Sequence, residues 1–387
     1  MISFQPTEEE LAFLEVAKSL AVDEIRPRSR ECEQQRRVSD ELAEKIRELG
    51  FTLMELPEHW GGLELPLISQ VQIWQALSFG DLDVVQGLPG PGDAASLIRL
   101  VPDHPVLKAY RHRVEKGAVP TAALIDATNA EAPFQTLTIQ SYKDGYVLNG
   151  TSLPVRQALE AVAVAVLAYD GDGNAVVLWL DRDTVPWEVQ EDDYRLGLAA
   201  SGIGRFRFDQ AVVPASCVVA RGEEAADLIQ RAQARIRVLQ AAKAVGVMEA
   251  AVEYVTQYTA ERKAFGQVIA QFQGVSFRVA DMVIETQLAH HLVWEAAVQV
   301  DRGAPDAFGS ALRALYRAHR AVRYVTDSAV QLMGGYGFVQ EYPAEKWMRD
   351  AQAHVGLYGR ESDLLQQRGA QLLGRAPVSE QKGKVAV

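Results

Sequence analysis

Two stretches in the C-terminal half carry residue types that bind phosphate groups and planar rings. Arg262 follows Glu261, and a guanidinium group offers a planar fork of donors that matches phosphate oxygens, although a surface ion pair with Glu261 is the simpler alternative. Gly334 and Gly335 interrupt a helical pattern, where each glycine costs about 1 kcal/mol relative to alanine. A close approach of the backbone to a ring or a neighbouring helix would explain the pair, and so would a helix that ends at Gly334.

Other common chemistries have no residues to support them. The seven histidines are scattered, and the adjacent His290 and His291 would point about 100° apart on a helix. The two cysteines, Cys32 and Cys217, lie too far apart in sequence to suggest a metal cluster or a disulfide framework. No glycine spacing fits a nucleophile elbow, a P-loop or a dinucleotide-binding fingerprint. The sequence therefore predicts no metal site.

The composition is that of a globular protein with a large core. The chain has 387 residues, of which 48% are hydrophobic and 23% charged, so two or three packing units are expected. A net charge of -12 argues against nucleic acid, which requires a basic face. No apolar run approaches the ~18 residues of a membrane span, and MISFQPTEEE lacks the pattern of a signal peptide. We expect a soluble, cytoplasmic protein without a membrane contact.

Three regions of different periodicity predict an α+β fold. Residues 1–117 are mostly helical, with helices after Thr7, from the Ser39–Asp40 cap to near Gly50, and over 69–79. In the first of these helices an apolar face is predicted from Leu11, Leu14, Ala17, Val22 and Ile25. Residues 118–222 read as a small β-barrel-like domain, with strands at 137–140, 146–148, 161–168, 175–180 and 204–208 and an end of the sheet at Val213–Pro214. Residues 223–387 read as a four-helix bundle, with helices at about 223–261, 267–302, 305–333 and 360–374.

Specific motifs identify the family that this order of domains resembles. One runs from Glu261 to Gly266, with Gln271-Phe272-Gln273 and Ala280-Asp281-Met282 behind it. Another runs from Gln331 to Phe338 and continues in Glu341-Tyr342-Pro343-Ala344-Glu345-Lys346 and Arg349-Asp350-Ala351. Weaker matches are Glu48-Leu49-Gly50, Pro57 to Gly62, and Gly204 to Phe208 with Val213-Pro214. From about residue 7 to 374 the chain resembles an acyl-CoA dehydrogenase.

The resemblance implies a cofactor, a reaction and partners. In that family FAD lies between the β domain and the bundle, and its ADP half crosses a dimer interface. A glutamate removes the α-proton of an acyl-CoA, the β-hydrogen leaves as hydride to the flavin, and an electron-transfer flavoprotein takes the electrons. Matching positions imply FAD-binding roles for Arg262, Phe265, Phe272, Gln273, Gln331, Gly334 and Gly335. Phe265 would also suit the core of the bundle.

The family's catalytic glutamate has no counterpart at either of its two known positions. Nine residues after Arg349 the chain has Tyr358, followed by the family's glycine. A tyrosine, with a pKa near 10, is a poor base for an α-proton. In some relatives the glutamate precedes the arginine that matches Arg237, but here that residue is Ile236. Glu361 and Asp363 are displaced along the chain from the base position. The resemblance thus implies no catalytic residue in this chain.

The middle domain departs from the family where it would contact the flavin ring. The segment from Ile125 to Pro133 replaces a Thr-Glu-Pro segment and a glycine-rich turn. Pro154-Val155-Arg156 replaces Trp-Ile-Thr, so that a backbone donor is lost at Pro154 and a charge is gained at Arg156. Both changes predict that the chain's own flavin-ring site is not functional.

Retained and lost residues together suggest a non-catalytic subunit. The retained residues belong to the half-site offered across an interface, as in the heteromeric α2β2 acyl-CoA dehydrogenases of bacterial steroid catabolism. A catalytic partner subunit would then supply the glutamate and the flavin-ring contacts. A homo-oligomeric flavin monooxygenase or oxidase on the same fold is the main alternative, and a scaffold protein without flavin is the third.

Overall fold

The computed structural model describes residues 8–128, 136–191 and 194–374. It begins with a helical region, as predicted. Its helices are α1 (Glu8–Leu20), α2 (Arg26–Gln35), α3 (Asp40–Glu48), α4 (Leu67–Gly80), α5 (Leu82–Gln86), α6 (Ala94–Leu100) and α7 (Lys108–Glu115). The last three were not predicted from the sequence. Thr7, the predicted N-cap of α1, lies outside the described residues.

Local sequence signals explain where these helices begin and bend. The hydroxyl of Ser39 accepts from the backbone N–H of Leu42, which confirms the predicted cap of α3. Between α1 and α2 the chain makes one wide π-helical turn, Ala21–Ile25, just before Pro27, which has no N–H to donate. This turn shifts the phase of the helix. The predicted apolar face is wrong at Val22, which lies in this turn, and at Leu11 in α1; they are 48% and 45% exposed, whereas Leu20 and Ala21 are buried.

The middle region contains two four-stranded sheets that pack around an apolar core. One has the strand order β1-β4-β5-β8, with β1 and β4 parallel, and the other has the order β2-β3-β7-β6. Their strands are β1 (Ala122–Ala127), β2 (Thr138–Tyr142), β3 (Gly145–Thr151), β4 (Ala163–Tyr169), β5 (Ala175–Asp181), β6 (Glu188–Glu191), β7 (Gly204–Val213) and β8 (Val218–Arg221). The predicted end at Val213–Pro214 is correct for β7 alone, because β8 continues a sheet beyond Pro214.

The C-terminal region is helical. Its elements are α8 (Gly222–Glu261), a hairpin of β9 (Lys263–Ala264) and β10 (Gln267–Val268), α9 (Gln273–Asp301), α10 (Ala307–Met333), α11 (Ala344–Tyr358) and α12 (Glu361–Leu372). Helix α9 begins later than predicted because Phe265 and Gly266, both with positive φ, turn the chain into the hairpin. Helix α11 was not predicted.

The N-terminal helices pack closely on the bundle. Helix α8 passes so near α4 that a Cβ at Gly246 would lie 2.2 Å from the carbonyl oxygen of Gln75, so only glycine fits there. The long helices share one core with α4, in which Val245, Val293 and Leu315 are fully buried. Across residues 8–128, 136–191 and 194–374, no helix combines the length and apolar character needed to cross a membrane.

Candidate functional site

A cavity of about 380 Å³ lies between the middle sheets and the helical bundle. The end of β1, the segment 153–156 and the β7 residue Arg205 line one side, and α8, α10 and the α11–α12 junction line the other. Tyr358 and Ile236, the two positions where a catalytic glutamate was sought, both face this cavity, as do Pro154 and Arg156. The structure therefore brings together the residues that the sequence singled out as changed.

Tyr358 acts as a hydrogen-bond donor in this cavity. Its hydroxyl donates to Oδ2 of Asp93 at 2.8 Å. Burial and the adjacent Asp93 carboxylate raise the pKa of Tyr358 well above its usual value. A phenol that holds its proton so firmly cannot accept one from a substrate carbon at neutral pH.

Asp93 is the centre of a buried polar network that spans three regions of the chain. Besides the bond from Tyr358, it accepts from Nε of Arg156 at 3.2 Å and from Nε2 of Gln240 at 2.7 Å. Burial alone would raise the pKa of Asp93, but the Arg156 and Lys243 charges outweigh it and the pKa is lowered. With three donors and a low pKa, Asp93 is itself a weak base.

Gln86 and Lys243 extend the network towards the N-terminal helices. The backbone carbonyl oxygen of Gln86 accepts from Nη1 of Arg156 at 2.7 Å, and the side-chain oxygen of Gln86 accepts from Nζ of Lys243 at 3.1 Å. Burial, followed by repulsion from Arg156, lowers the pKa of Lys243 to about 7. The cavity on this side measures only about 40 Å³, room for a few water molecules. The network thus fills the space between the large cavity and α4.

The remaining carboxylates near the cavity also have partners. Asp363 lines the cavity and pairs with Arg360 at 3.1 Å, whereas Glu361 pairs with Arg323 at 3.0 Å. Asp126, at the end of β1, accepts from Nε2 of Gln233 at 2.8 Å. Asp126 lies in the segment that differs from the family's Thr-Glu-Pro, but no role for its side chain was predicted from the sequence.

The residues for which FAD-binding roles were predicted lie on another surface. We call this set the motif surface: Arg262, Phe265, Phe272, Gln273, Gln331, Gly334 and Gly335. None of them lines the 380 Å³ cavity. All except Phe272 are exposed, and Phe265 is 95% exposed, so it does not belong to the bundle core.

Contacts within the motif surface join its two sequence motifs. The guanidinium carbon of Arg262 lies 5.5 Å from the ring centroid of Tyr336, next to the glycine pair. Among the described residues no carboxylate forms an ion pair with Arg262, so the pair with Glu261 is not observed. Helix α10 ends at Met333 and Gly334 has a φ of 58°, so a helix end is observed here, whereas the close approach of a ring to the glycine pair stays a prediction. Apart from the adjoining residues, no atom in the described part of the chain lies within 4 Å of where a Cβ would stand at either glycine.

Comparison with known proteins settles the family. Residues 7–95 match the model of the acyl-CoA dehydrogenase N-terminal domain, and residues 226–362 match that of the C-terminal domain. An acyl-CoA dehydrogenase of Bacillus subtilis is 28% identical over 364 residues, covering 89% of this chain and 93% of the relative. This chain belongs to the acyl-CoA dehydrogenase family.

Solved structures superimpose along almost the whole chain. Butyryl-CoA dehydrogenase from Megasphaera elsdenii matches with a TM-score of 0.81 and 25% identity, covering 96% of this chain and 100% of that one. PigA, solved with FAD and proline, matches with a TM-score of 0.83 at 20% identity, covering 96% and 99%. The predicted fold class is confirmed: a helical N-terminal region, a middle β region and a helical C-terminal region.

Several predictions about this family member stay predictions. The boundaries at residues 117 and 222 and the FAD-binding roles of the motif surface are among them. The segment that replaces the family's Thr-Glu-Pro lies partly at residues 129–135, outside the described residues.

Three acidic side chains, Asp81, Asp83 and Asp350, come close enough to hold a metal ion, but the ammonium group of Lys346 lies against all three.

Proposed function

We propose that this chain is a subunit of an FAD-dependent acyl-CoA dehydrogenase that lacks its own catalytic base and supplies half of its partner's FAD site. The observation that carries this proposal is the hydroxyl of Tyr358, which donates to Asp93 where the family's base is expected. The complex would introduce an α,β double bond into an acyl-CoA and pass electrons to an electron-transfer flavoprotein. An α2β2 assembly of the kind found in bacterial steroid catabolism fits this division of roles.

Arg156 supports the loss of the chain's own flavin-ring site. Its guanidinium points to the N-terminal helices, where it pairs with Asp93 at 3.2 Å and fills space beside Gly92. A side chain held by an ion pair and a backbone carbonyl is not free to donate to a flavin. Pro154, two residues earlier, has no N–H to offer in the same segment.

The exposed donors of the motif surface suit the pyrophosphate and adenine half of FAD. Arg262 has no carboxylate partner among the described residues, so its charge is available to an anion. The open backbone at Gly334 and Gly335 permits close approach of a ring, and Gln331 adds an exposed amide. When bound, FAD supplies the hydride acceptor of the reaction.

Apolar side chains beside the motif surface support a protein partner. Phe277, Ile284 and Leu288 are 63%, 52% and 47% exposed, and their spacing places them along one face of α9. Gln273 begins the same helix, and Phe265 lies in the hairpin that precedes the helix in the chain. A row of exposed apolar residues next to cofactor-binding groups is typical of an interface that carries part of a site.

The test is purification of this chain alone and together with a catalytic acyl-CoA dehydrogenase encoded by a neighbouring gene. Alone, the protein should be colourless and show no acyl-CoA-dependent reduction of a dye acceptor. Co-expression should give a complex that contains FAD and turns over. Turnover of any acyl-CoA by this chain alone would refute the proposal, and a failure to assemble with any dehydrogenase subunit would favour a scaffold protein.

Changing Tyr358 to glutamate should not create an active enzyme. The new carboxylate would stand beside Asp93, and two neighbouring carboxylates raise each other's pKa and oppose folding. We expect no gain in dye reduction and a lower Tm, with Tyr358→Phe as a control that removes only the hydroxyl. Recovery of turnover in Tyr358→Glu would mean that the flavin-ring site is intact.

A homo-oligomeric flavin monooxygenase or oxidase is the second candidate, because the 380 Å³ cavity is still present in this chain. Such an enzyme needs no base for an α-proton and tolerates Tyr358. It would be yellow when purified alone and would consume oxygen, so the same purification separates the two functions.

A further inference from the structure

One cation of the large cavity has no anionic partner. Arg237, on α8, lines the cavity and is 8% exposed. Its Nη2 donates to the side-chain oxygen of Gln367 at 2.8 Å, and its guanidinium carbon lies 4.6 Å from the ring centroid of Phe308. Among the described residues, Nη1 has no hydrogen-bond partner and no carboxylate comes within ion-pair distance of the side chain.

Two other arginines of the cavity have anionic partners. Arg156 pairs with Asp93 at 3.2 Å, and Arg360 pairs with Asp363 at 3.1 Å. Asp126 attracts Arg237 without forming an ion pair with it, and the Asp126 carboxylate accepts hydrogen bonds from Gln233 and Thr128. Burial lowers the pKa of Arg237 to about 10, against the opposing pull of Asp126, and the group still carries its charge at neutral pH.

A buried guanidinium group without a partner is costly, because removal of a charge from water is offset only by pairing. Such a residue in a cavity is typical of a site whose ligand brings the opposite charge. A ligand with one anionic group would supply a partner for the free Nη1 of Arg237.

Most of the remaining wall is apolar. Side chains from both the sheets and the bundle contribute to it, among them Leu124, Ile125, Pro154, Ile236, Leu315 and Leu357. A volume of about 380 Å³ is sufficient for a ring system or a medium-length chain. Because this wall offers few free hydrogen-bond donors, a small hydrated anion such as inorganic phosphate would lose more hydration free energy on entry than contacts with the protein return.

We infer that this cavity binds an organic monocarboxylate, with its apolar body between the sheets and the bundle and its carboxylate on Arg237. The site lies apart from the motif surface and does not depend on a heteromeric partner. It gives the cavity a role that needs neither a catalytic base nor a flavin ring.

The experiment measures binding of 2-naphthoate and of its neutral isostere 2-naphthamide to the full-length chain by isothermal titration calorimetry. The two probes have nearly the same shape and differ in charge. A charge-assisted hydrogen bond in a shielded site corresponds to roughly tenfold or more in affinity. We therefore expect naphthoate to bind at least about tenfold more tightly than naphthamide.

Two variants locate the charge. Arg237→Gln should abolish the preference for the acid, whereas Arg360→Gln, a change of the same kind at a paired arginine of the same cavity, should retain it. Since Arg237→Gln removes an unpaired buried charge, the Tm of this variant should not be lower than that of the unmodified chain.

The inference is overturned if the acid and the amide bind equally to the unmodified chain, or if neither binds. A preference that persists in Arg237→Gln would also overturn it. The comparison of acid and amide needs no variant, so it remains decisive even if a variant fails to fold. A chain that is yellow or active alone would refute the heteromeric function and leave the naphthoate result to be judged separately.

Discussion

Lys346→Met is expected to lower the free energy of unfolding by about 3–5 kcal/mol, the range for removal of one partner from a buried ion pair. Nζ of Lys346 lies 2.8 Å from Asp81, 2.7 Å from Asp350 and 3.7 Å from Asp83. All four side chains are buried, and methionine would leave the three carboxylates without a cation. Asp81 also caps α5, and Asp83 accepts from the backbone N–H of Ala200, so the loss would spread to both the N-terminal helices and the middle region.

The loss should depend on pH in a defined direction. Burial, opposed by Lys346 and reinforced by the neighbouring carboxylates, raises the pKa of Asp350 to about 7. A group whose pKa is raised in the folded state stabilises the fold below its unfolded pKa, near 4, and loses that contribution as the pH rises towards 7. Without Lys346 the carboxyl group of Asp350 holds its proton more firmly, so the variant should lose more stability at about pH 8 than at about pH 5.

Urea unfolding of the purified chain at both pH values measures the effect. Lys45→Met is the matched control, because Lys45 pairs with Glu24 on an exposed helix face and should change stability little at either pH. An equal loss for Lys346→Met at both pH values would mean that the carboxylates do not change protonation. A loss as small as that of Lys45→Met would mean that the cluster does not need its cation.

The sequence predicted most of the long helices and strands because their signals are local. A cap at Ser39 and an unbroken helical period over α8 both act within a few residues of themselves. The errors arise where a local turn changes the helical phase, or the first residue of the element that follows it. The π turn before Pro27 moves Val22 to the surface, and the turn at Phe265–Gly266 delays α9.

The cavity could be predicted only in part, because its groups meet across large separations in sequence. Tyr358 and Asp93 are 265 residues apart, and no pattern near Asp93 indicates that it will accept a bond from α11. Tyr358 and Arg156 were noticed because they differ from a family pattern, yet their connection through Asp93 is a property of the folded chain. Arg237 was used only as an alignment marker, and its missing partner is visible in the structure alone.

Arg262→Ala, made in this chain and co-expressed with the catalytic partner, is expected to weaken FAD binding by roughly tenfold to a hundredfold. A guanidinium–phosphate contact in a shielded site contributes roughly 1.5–3 kcal/mol, and about 1.4 kcal/mol corresponds to a factor of ten. Arg262 is exposed in the single chain and has no ion pair with a described residue, so an interface and a phosphate would together give it a partner.

The measurement is FAD per complex after dilution, combined with sizing chromatography to confirm that the assembly is intact. Lys263→Ala is the control, because Lys263 is the next residue, is also exposed and carries the same charge. If the net positive charge near the interface were sufficient to retain FAD, the two variants would lose FAD equally. If FAD content and activity are unchanged in Arg262→Ala, the residue is only a surface cation. Loss of FAD from an intact complex in Arg262→Ala alone would place a phosphate of the partner's cofactor on this guanidinium, because removal of an equal charge at the adjacent position would then have no such effect.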